Sequence, residues 1–174
     1  MSQPATVEAL AERLEAAAQA RLGRSLAIRH LGSGSCNACE LEINALSGVV
    51  YDLERLGLRI VTSPRHADVL LVTGPACRNM TEAMQRAWFC TPDPKWVVAV
   101  GDCAMDGGVF RDSYAVEGGA ERVLPVDLVI PGCPPPPALM LEGLLALLEA
   151  QGDPEERRAQ RGRPRLEPDP DADG

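Results

Sequence analysis

Apolar and polar positions along the chain follow two periods, one helical and one of buried strands. Residues 5 to 22 put Val7, Leu10, Leu14, Ala17 or Ala18, and Leu22 on one stripe, the spacing of an amphipathic helix. Two uses are open to that stripe: packing on the rest of the chain, or facing a partner. Leu26-Ala27-Ile28-Arg29-His30-Leu31 then reads as a first strand. After a glycine turn, Leu41, Ala45 and Val49 recur with helical spacing, and Leu46, Val50 and Leu53 lie beside them. This predicts a helix ending near Leu56-Gly57.

Leu58-Arg59-Ile60-Val61 is a second predicted strand, and the unbroken apolar run Asp68-Val69-Leu70-Leu71-Val72-Thr73 a third. Such a run fits a strand buried on both faces, as in parallel sheets. A helix across Met80, Ala83, Met84 and Ala87 follows, then a fourth strand, Trp96-Val97-Val98-Ala99-Val100. The stretch from Ala104 to Pro125, with its paired glycines, reads as a long loop. Val126-Asp127-Leu128-Val129-Ile130 is a fifth strand, and prolines after Cys133 open a last helix from Ala138 to Ala150. Strands alternating with helices imply an α/β fold, a parallel sheet of about four to five strands flanked by helices. The domain plan is a helix in residues 1–25, an α/β domain in 26–150 and a tail in 151–174. From Asp153 on, the tail holds five arginines, seven acidic residues and four prolines, with Leu166 its only large apolar residue, which predicts disorder.

Composition narrows the function. The 174 residues carry a formal charge of −8 and no basic patch, which argues against a nucleic-acid partner. Six cysteines are too few and too scattered in a chain of this size for a secreted disulfide scaffold. Glu8, Glu12 and Glu15 stand where a signal peptide would be basic and then apolar. No apolar run reaches the ~20 residues that span a bilayer. A cytoplasmic protein is expected, with any membrane association made through partners.

The chemistry gathers at strand ends. Gly32-Ser33-Gly34-Ser35-Cys36-Asn37-Ala38-Cys39 joins the first strand to its helix, Cys103 follows the fourth strand, and Cys133 follows the fifth. In a parallel sheet the loops at the carboxyl ends of strands share one edge, where ligands bind. Cys36, Cys39, Cys103 and Cys133 should therefore meet, although 133 − 36 = 97 positions separate the outermost two. Amide N–H groups and the helix dipole at the start of the second helix are expected to favour thiolate there. Four thiolates in one crevice repel unless a cation neutralises them. Both Zn²⁺ and a 4Fe–4S cluster accept four sulfurs. One pair joined by two isolated cysteines suits the larger cubane, whereas zinc modules usually supply two close pairs. A dithiol pair of thioredoxin type would use Cys36 and Cys39 but leaves Cys103 and Cys133 unexplained.

The remaining candidates carry less. Cys77 and Cys90 read as small buried hydrophobes, with Cys77 near the site edge. Gly32-Ser33-Gly34 lacks the third glycine of a dinucleotide fingerprint, and no phosphate loop is present. His30 and His66 read as surface or strand-end residues, and Glu40 as a solvated helix position. Glu42, within one turn of Cys39, is a candidate proton acceptor on reduction. An unchanged pH dependence of the potential in Glu42→Gln would remove it from that role.

From Ile28 to Leu148 the chain resembles the small, cluster-bearing subunit shared by complex I, as its B subunit, and membrane-bound nickel–iron hydrogenases of formate hydrogenlyase type. The resemblance runs through Cys36-x-x-Cys39-Glu-Leu-Glu, Tyr51-Asp-Leu-Glu-Arg-Leu-Gly57, Ser63-Pro-Arg-His-Ala-Asp68 and Thr73-Gly-Pro75. It continues in Pro92-Asp-Pro-Lys-Trp96, Gly101-Asp-Cys-Ala104, Gly107-Gly-Val-Phe110, Val126-Asp127 and Pro131-Gly-Cys-Pro134. It implies a flavodoxin-like fold and one 4Fe–4S cluster held by Cys36, Cys39, Cys103 and Cys133. Complex I proteins typically carry adjacent cysteines at the first ligands, so Cys36-x-x-Cys39 resembles the hydrogenase branch. In that branch the cluster lies next to the nickel–iron site of a large subunit and passes electrons to ferredoxin-like subunits. In complex I it is the last cluster before quinone. Either way the resemblance implies an oxidoreductase subunit. It would be peripheral, on the cytoplasmic side of the cytoplasmic membrane, and reach membrane subunits only through its complex. Cys77 departs from the pattern.

Overall fold

A computed structural model describes residues 7–150. In chain order the elements are α1 (Val7–Leu22), β1 (Leu26–Gly32), α2 (Ala38–Leu46), β2 (Leu58–Ile60), β3 (Val69–Thr73) and β4 (Ala76–Cys77). They continue with α3 (Thr81–Cys90), β5 (Trp96–Val100), α4 (Asp102–Asp106), β6 (Val116–Gly118), β7 (Leu128–Ile130) and α5 (Pro137–Glu149). Five strands pair in parallel in the order β2-β1-β3-β5-β7, and β4 pairs antiparallel with β6 in a small second sheet. Counted within the main sheet the order is 2-1-3-4-5, the flavodoxin-like winding, whose direction reverses between β1 and β3. That reversal opens the crevice the site occupies.

The unbroken apolar runs of β3 and β5 are explained by burial on both faces. All five residues of each strand are buried, and their side chains alternate between two cores. Val69, Leu71, Trp96, Val98 and Val100 pack under α1, α2 and α5, where Leu14, Leu46, Leu141 and Leu144 meet them. Leu70, Val72, Val97 and Ala99 face the other way, against Met84 and Trp88 of α3 and Ala104 of α4. Each fully buried leucine contributes about 2 kcal/mol of transfer free energy.

The stripe on α1 is used internally. Leu10, Leu14 and Ala18 are buried in the first core, and Arg13 pairs with Glu149 at 2.8 Å. Arg21 donates to the Leu148 carbonyl at 3.1 Å and to that of Ala150, closing the end of α5. The sequence left packing on the chain and facing a partner equally open; the helix is an integral layer of the fold.

Two expectations are corrected. The helix predicted as far as Leu56-Gly57 stops at Leu46. Ser47 caps it and Gly48 follows, Asp52 takes a left-handed φ of 49°, and Val49 and Val50 stand in solvent at 101% and 80% exposure. Leu53 and Leu56 return to the core through turns, so their apolar spacing reflects burial without a helix. The stretch 104–125, read as a long excursion or loop, carries short elements: the end of α4, β6 and two short 3-10 turns. β6 is held by β4, a pair too short to leave a periodic trace. The tail predicted in 151–174 and residues 1–6 lie outside the described residues.

Candidate functional site

The site lies at the carboxyl edge of the sheet, where backbone latches draw three loops together. Beyond β1, the buried Ser33 hydroxyl sits 2.8, 3.0 and 2.9 Å from the carbonyl oxygens of Thr73, Gly74 and Pro75, so one hydroxyl fastens the loops after β1 and β3. Gly74, with φ +79°, lies so close to Ser35 that a Cβ would stand 2.7 Å from the Ser35 nitrogen. The loops after β5 and β7 are joined in turn. The Gly101 amide donates to the Ile130 carbonyl at 2.8 Å and the Asp102 amide to that of Gly132 at 2.9 Å. The Gly132 amide donates back to Asp102 Oδ1 at 2.7 Å.

These latches bring the four sequence-predicted cysteines together. Cys39 is the second residue of α2 and Cys103 the second of α4, and both are buried; Cys36 and Cys133 are exposed. At Gly101, φ +88°, a Cβ would stand 2.7 Å from Cys39 Sγ and 3.2 Å from the Gly132 carbonyl, so the first loop packs directly on the other two. Two thiols form the floor and two the rim.

Burial and neighbouring charge act against the thiolate expected at the buried pair. Burial pushes the Cys39 thiol up to about 11, and negative charge on Glu40 and then on Cys103, Cys36 and Cys133 acts the same way. Burial also raises Cys103, joined by Cys133 and Cys36 and opposed by a hydrogen bond from the Val109 backbone. Helix starts were expected to favour thiolate here. Desolvation and neighbouring negative charge act against that preference at both buried thiols. The donor chemistry fits a thiophilic cationic group: four sulfurs, two shielded from water, whose combined charge the chain itself does not neutralise. Among the described residues no three His, Cys, Asp or Glu side chains are grouped to hold a single metal ion.

The other sequence candidates divide. Cys77 is half-buried: its sulfur would lie 2.3 Å from a Cβ at Gly34, and its amide donates to the Ser33 carbonyl at 3.3 Å. It packs behind the first loop, outside the set of charges acting on Cys39 and Cys103. Cys90 is exposed at the end of α3, not buried as expected, because it lies beside exposed Phe89, while the helix buries Met84 and Trp88. Glu42 is partly exposed on α2.

Glu40, read from sequence as a solvated position, is the carboxylate built into the site. Its Oε1 accepts from Ser35 Oγ and Thr73 Oγ1, each at 2.5 Å, and His30 Nε2 lies 2.8 Å from the same threonine oxygen. Burial works against its charge, but the Ser35 and Thr73 hydroxyls outweigh it and hold the carboxyl below its ordinary range. His30 is lowered by burial, despite the pull of Glu40 and with the help of Arg29. Sequence gave one weak signal of this network, a threonine ending a buried strand beside the cysteine turn.

Residues 36–147 match the family described as NADH ubiquinone oxidoreductase, 20 kDa subunit. Formate hydrogenlyase subunit 7 of Escherichia coli is 44% identical over 149 residues, which are 84% of this chain and 58% of that protein. The chain thus spans little more than half the length of that relative. The probable membrane-bound hydrogenase subunit mbhJ of Pyrococcus furiosus is 46% identical over 128 residues, 74% of this chain and 77% of that one. Among solved structures, a chain of the membrane-bound sulfane sulfur reductase, an archaeal respiratory membrane complex, superposes with a TM-score of 0.69 at 31% identity, covering 86% of this chain and 84% of that one. The chain belongs to the family of the 20 kDa subunit of NADH ubiquinone oxidoreductase. Among the described residues no helix is long and apolar enough to cross a membrane.

Proposed function

We propose that this chain is an electron-transfer subunit of a hydrogenase-type oxidoreductase complex and holds one 4Fe–4S cluster on Cys36, Cys39, Cys103 and Cys133. One observation carries the reading: loops after three different strands bring four thiols within electrostatic reach of one another, two buried and two exposed. Such a cluster accepts and releases one electron at a time, and thiolates hold it. The chain's own part is to fix the sulfurs, exclude water from the floor and leave the rim open toward a partner. The Val109 backbone hydrogen-bonds Cys103, and such dipoles at a cluster sulfur raise a reduction potential.

The relatives' names, a formate hydrogenlyase subunit and a probable membrane-bound hydrogenase subunit, support partners in a multi-subunit complex. On this reading they are a hydrogenase-like large subunit beside the rim, a ferredoxin-like iron–sulfur subunit and membrane subunits reached through them. The location that follows is peripheral, on the cytoplasmic side of the cytoplasmic membrane. A second reading, transfer to quinone in a complex I-like assembly, is favoured by the family description. The Cys36-x-x-Cys39 spacing supports the hydrogenase branch. Cys133→Ala tests the ligand set in the purified complex. The strands should persist, as judged by circular dichroism and assembly, while the cluster is lost or converted and electron flow stops. An intact, active cluster in that variant removes Cys133 from the ligands.

A further inference from the structure

Glu40 is held by contacts that a solvated helix position would not have. Its side chain is 15% exposed, and Oε1 takes two 2.5 Å hydrogen bonds, from Ser35 in the cysteine turn and from Thr73 at the end of β3. Ser35 Oγ also accepts from the Asn37 amide at 3.2 Å, so the carboxylate is tied into the turn between Cys36 and Cys39. Oε2 is buried with no hydrogen-bond donor among the described residues.

The protons in this network are assigned by its partners. Thr73 donates its single proton to Glu40, so the 2.8 Å contact with His30 makes the imidazole the donor through Nε2–H. A histidine in that role needs only its neutral form, and its nitrogen stands 3.7 Å from Glu40 Oε1. The one basic side chain in the network, His30, is turned away from its charged form by burial, which leaves the carboxylate charge largely uncancelled. That charge acts on the adjacent Cys39 sulfur, where Glu40 is the strongest of the charged neighbours.

We propose that Glu40 is a positioning residue: clamped by Ser35 and Thr73, it fixes a negative charge against the Cys36–Cys39 turn and lowers the reduction potential of the group the cysteines hold. A fixed negative charge opposes the arrival of an electron, as cluster charge and environment do generally. This rests on the proposed function, and the experiment separates the two. In the purified complex, iron and sulfide are counted first, and the midpoint potential is then read by a redox titration followed by EPR. Glu40→Gln keeps the size and loses the charge, and its potential should shift upward. Glu40→Asp keeps the charge and should stay closer to the parent than the glutamine variant does.

An unmoved potential in Glu40→Gln, or an equal shift in Glu40→Asp, overturns the inference while leaving the cluster in place. Absence of iron from the parent complex instead overturns the proposed function. Should Glu40→Gln fail to retain iron, Thr73→Val replaces it. Untethered from β3, the carboxylate can turn to solvent and the potential should again rise, and no change there overturns the inference.

Discussion

The two edges of the sheet solve opposite problems. At the amino edge the carboxylates of Asp68 and Asp127 are partnered within the chain. Arg24 grips the buried Asp68 through two hydrogen bonds of 2.8 and 2.6 Å, and Asp68 Oδ2 also accepts from the Ala27 amide at 2.9 Å. Asp127 does the same for the Val97 amide at 2.9 Å. These carboxylates anchor the first residues of neighbouring strands, and Asp68 raises the pKa of Arg24 further. At the carboxyl edge the loops approach so closely that glycine is required, and burial, then neighbouring negative charge, pushes the two buried thiols toward protonation. One edge is held within the chain; the other, on the proposed function, is completed by a cationic group. That division separates stability from function along a single sheet.

Gly101→Ala attacks the carboxyl edge most directly after the loss of a cysteine. The new methyl meets Cys39 Sγ at 2.7 Å, and its backbone is left-handed. Iron content should fall sharply, and stability in a denaturant titration should drop by about 1–3 kcal/mol. Full iron content in this variant would mean that the loops have room to spare. Asp68→Ala tests the other edge. Loss of a charge-assisted pair and a strand anchor should lower stability by about 2 kcal/mol, with iron content and spectrum unchanged. A spectral change there would break the separation of the edges.

The smallest expected effect is on pH. The folded, metal-free chain holds the Cys39 proton up to about 11, against 9.0 for an ordinary thiol, so the folded state binds that proton more tightly than the unfolded state. This contribution is full below pH 9.0 and is lost as pH rises toward about 11. Urea midpoints of the metal-free chain should therefore decline across that window, and the metal-loaded form, whose thiolates are already ionised, should not share the decline. Identical profiles would contradict the assignment.

The strands were legible because burial on both faces leaves unbroken apolar runs, as in Val69–Thr73 and Trp96–Val100. The meeting of the cysteines was legible for a topological reason: each follows a strand, and parallel strands end on one edge. The burial that raises Cys39 and Cys103 was not, since the helix dipole is visible in sequence whereas burial is set by packing. Glu40 was missed because its partner Thr73 lies 33 positions away, and only the register of β1 against β3 sets them side by side. The β4–β6 pair was missed because two or three residues show no period.

Metal and sulfide content with a visible spectrum, on the complex purified without oxygen, tests the central claim most directly. About four irons and four sulfides per chain are expected, with broad absorption that dithionite bleaches. One zinc without colour, or no metal and a reversible Cys36–Cys39 disulfide, would contradict it.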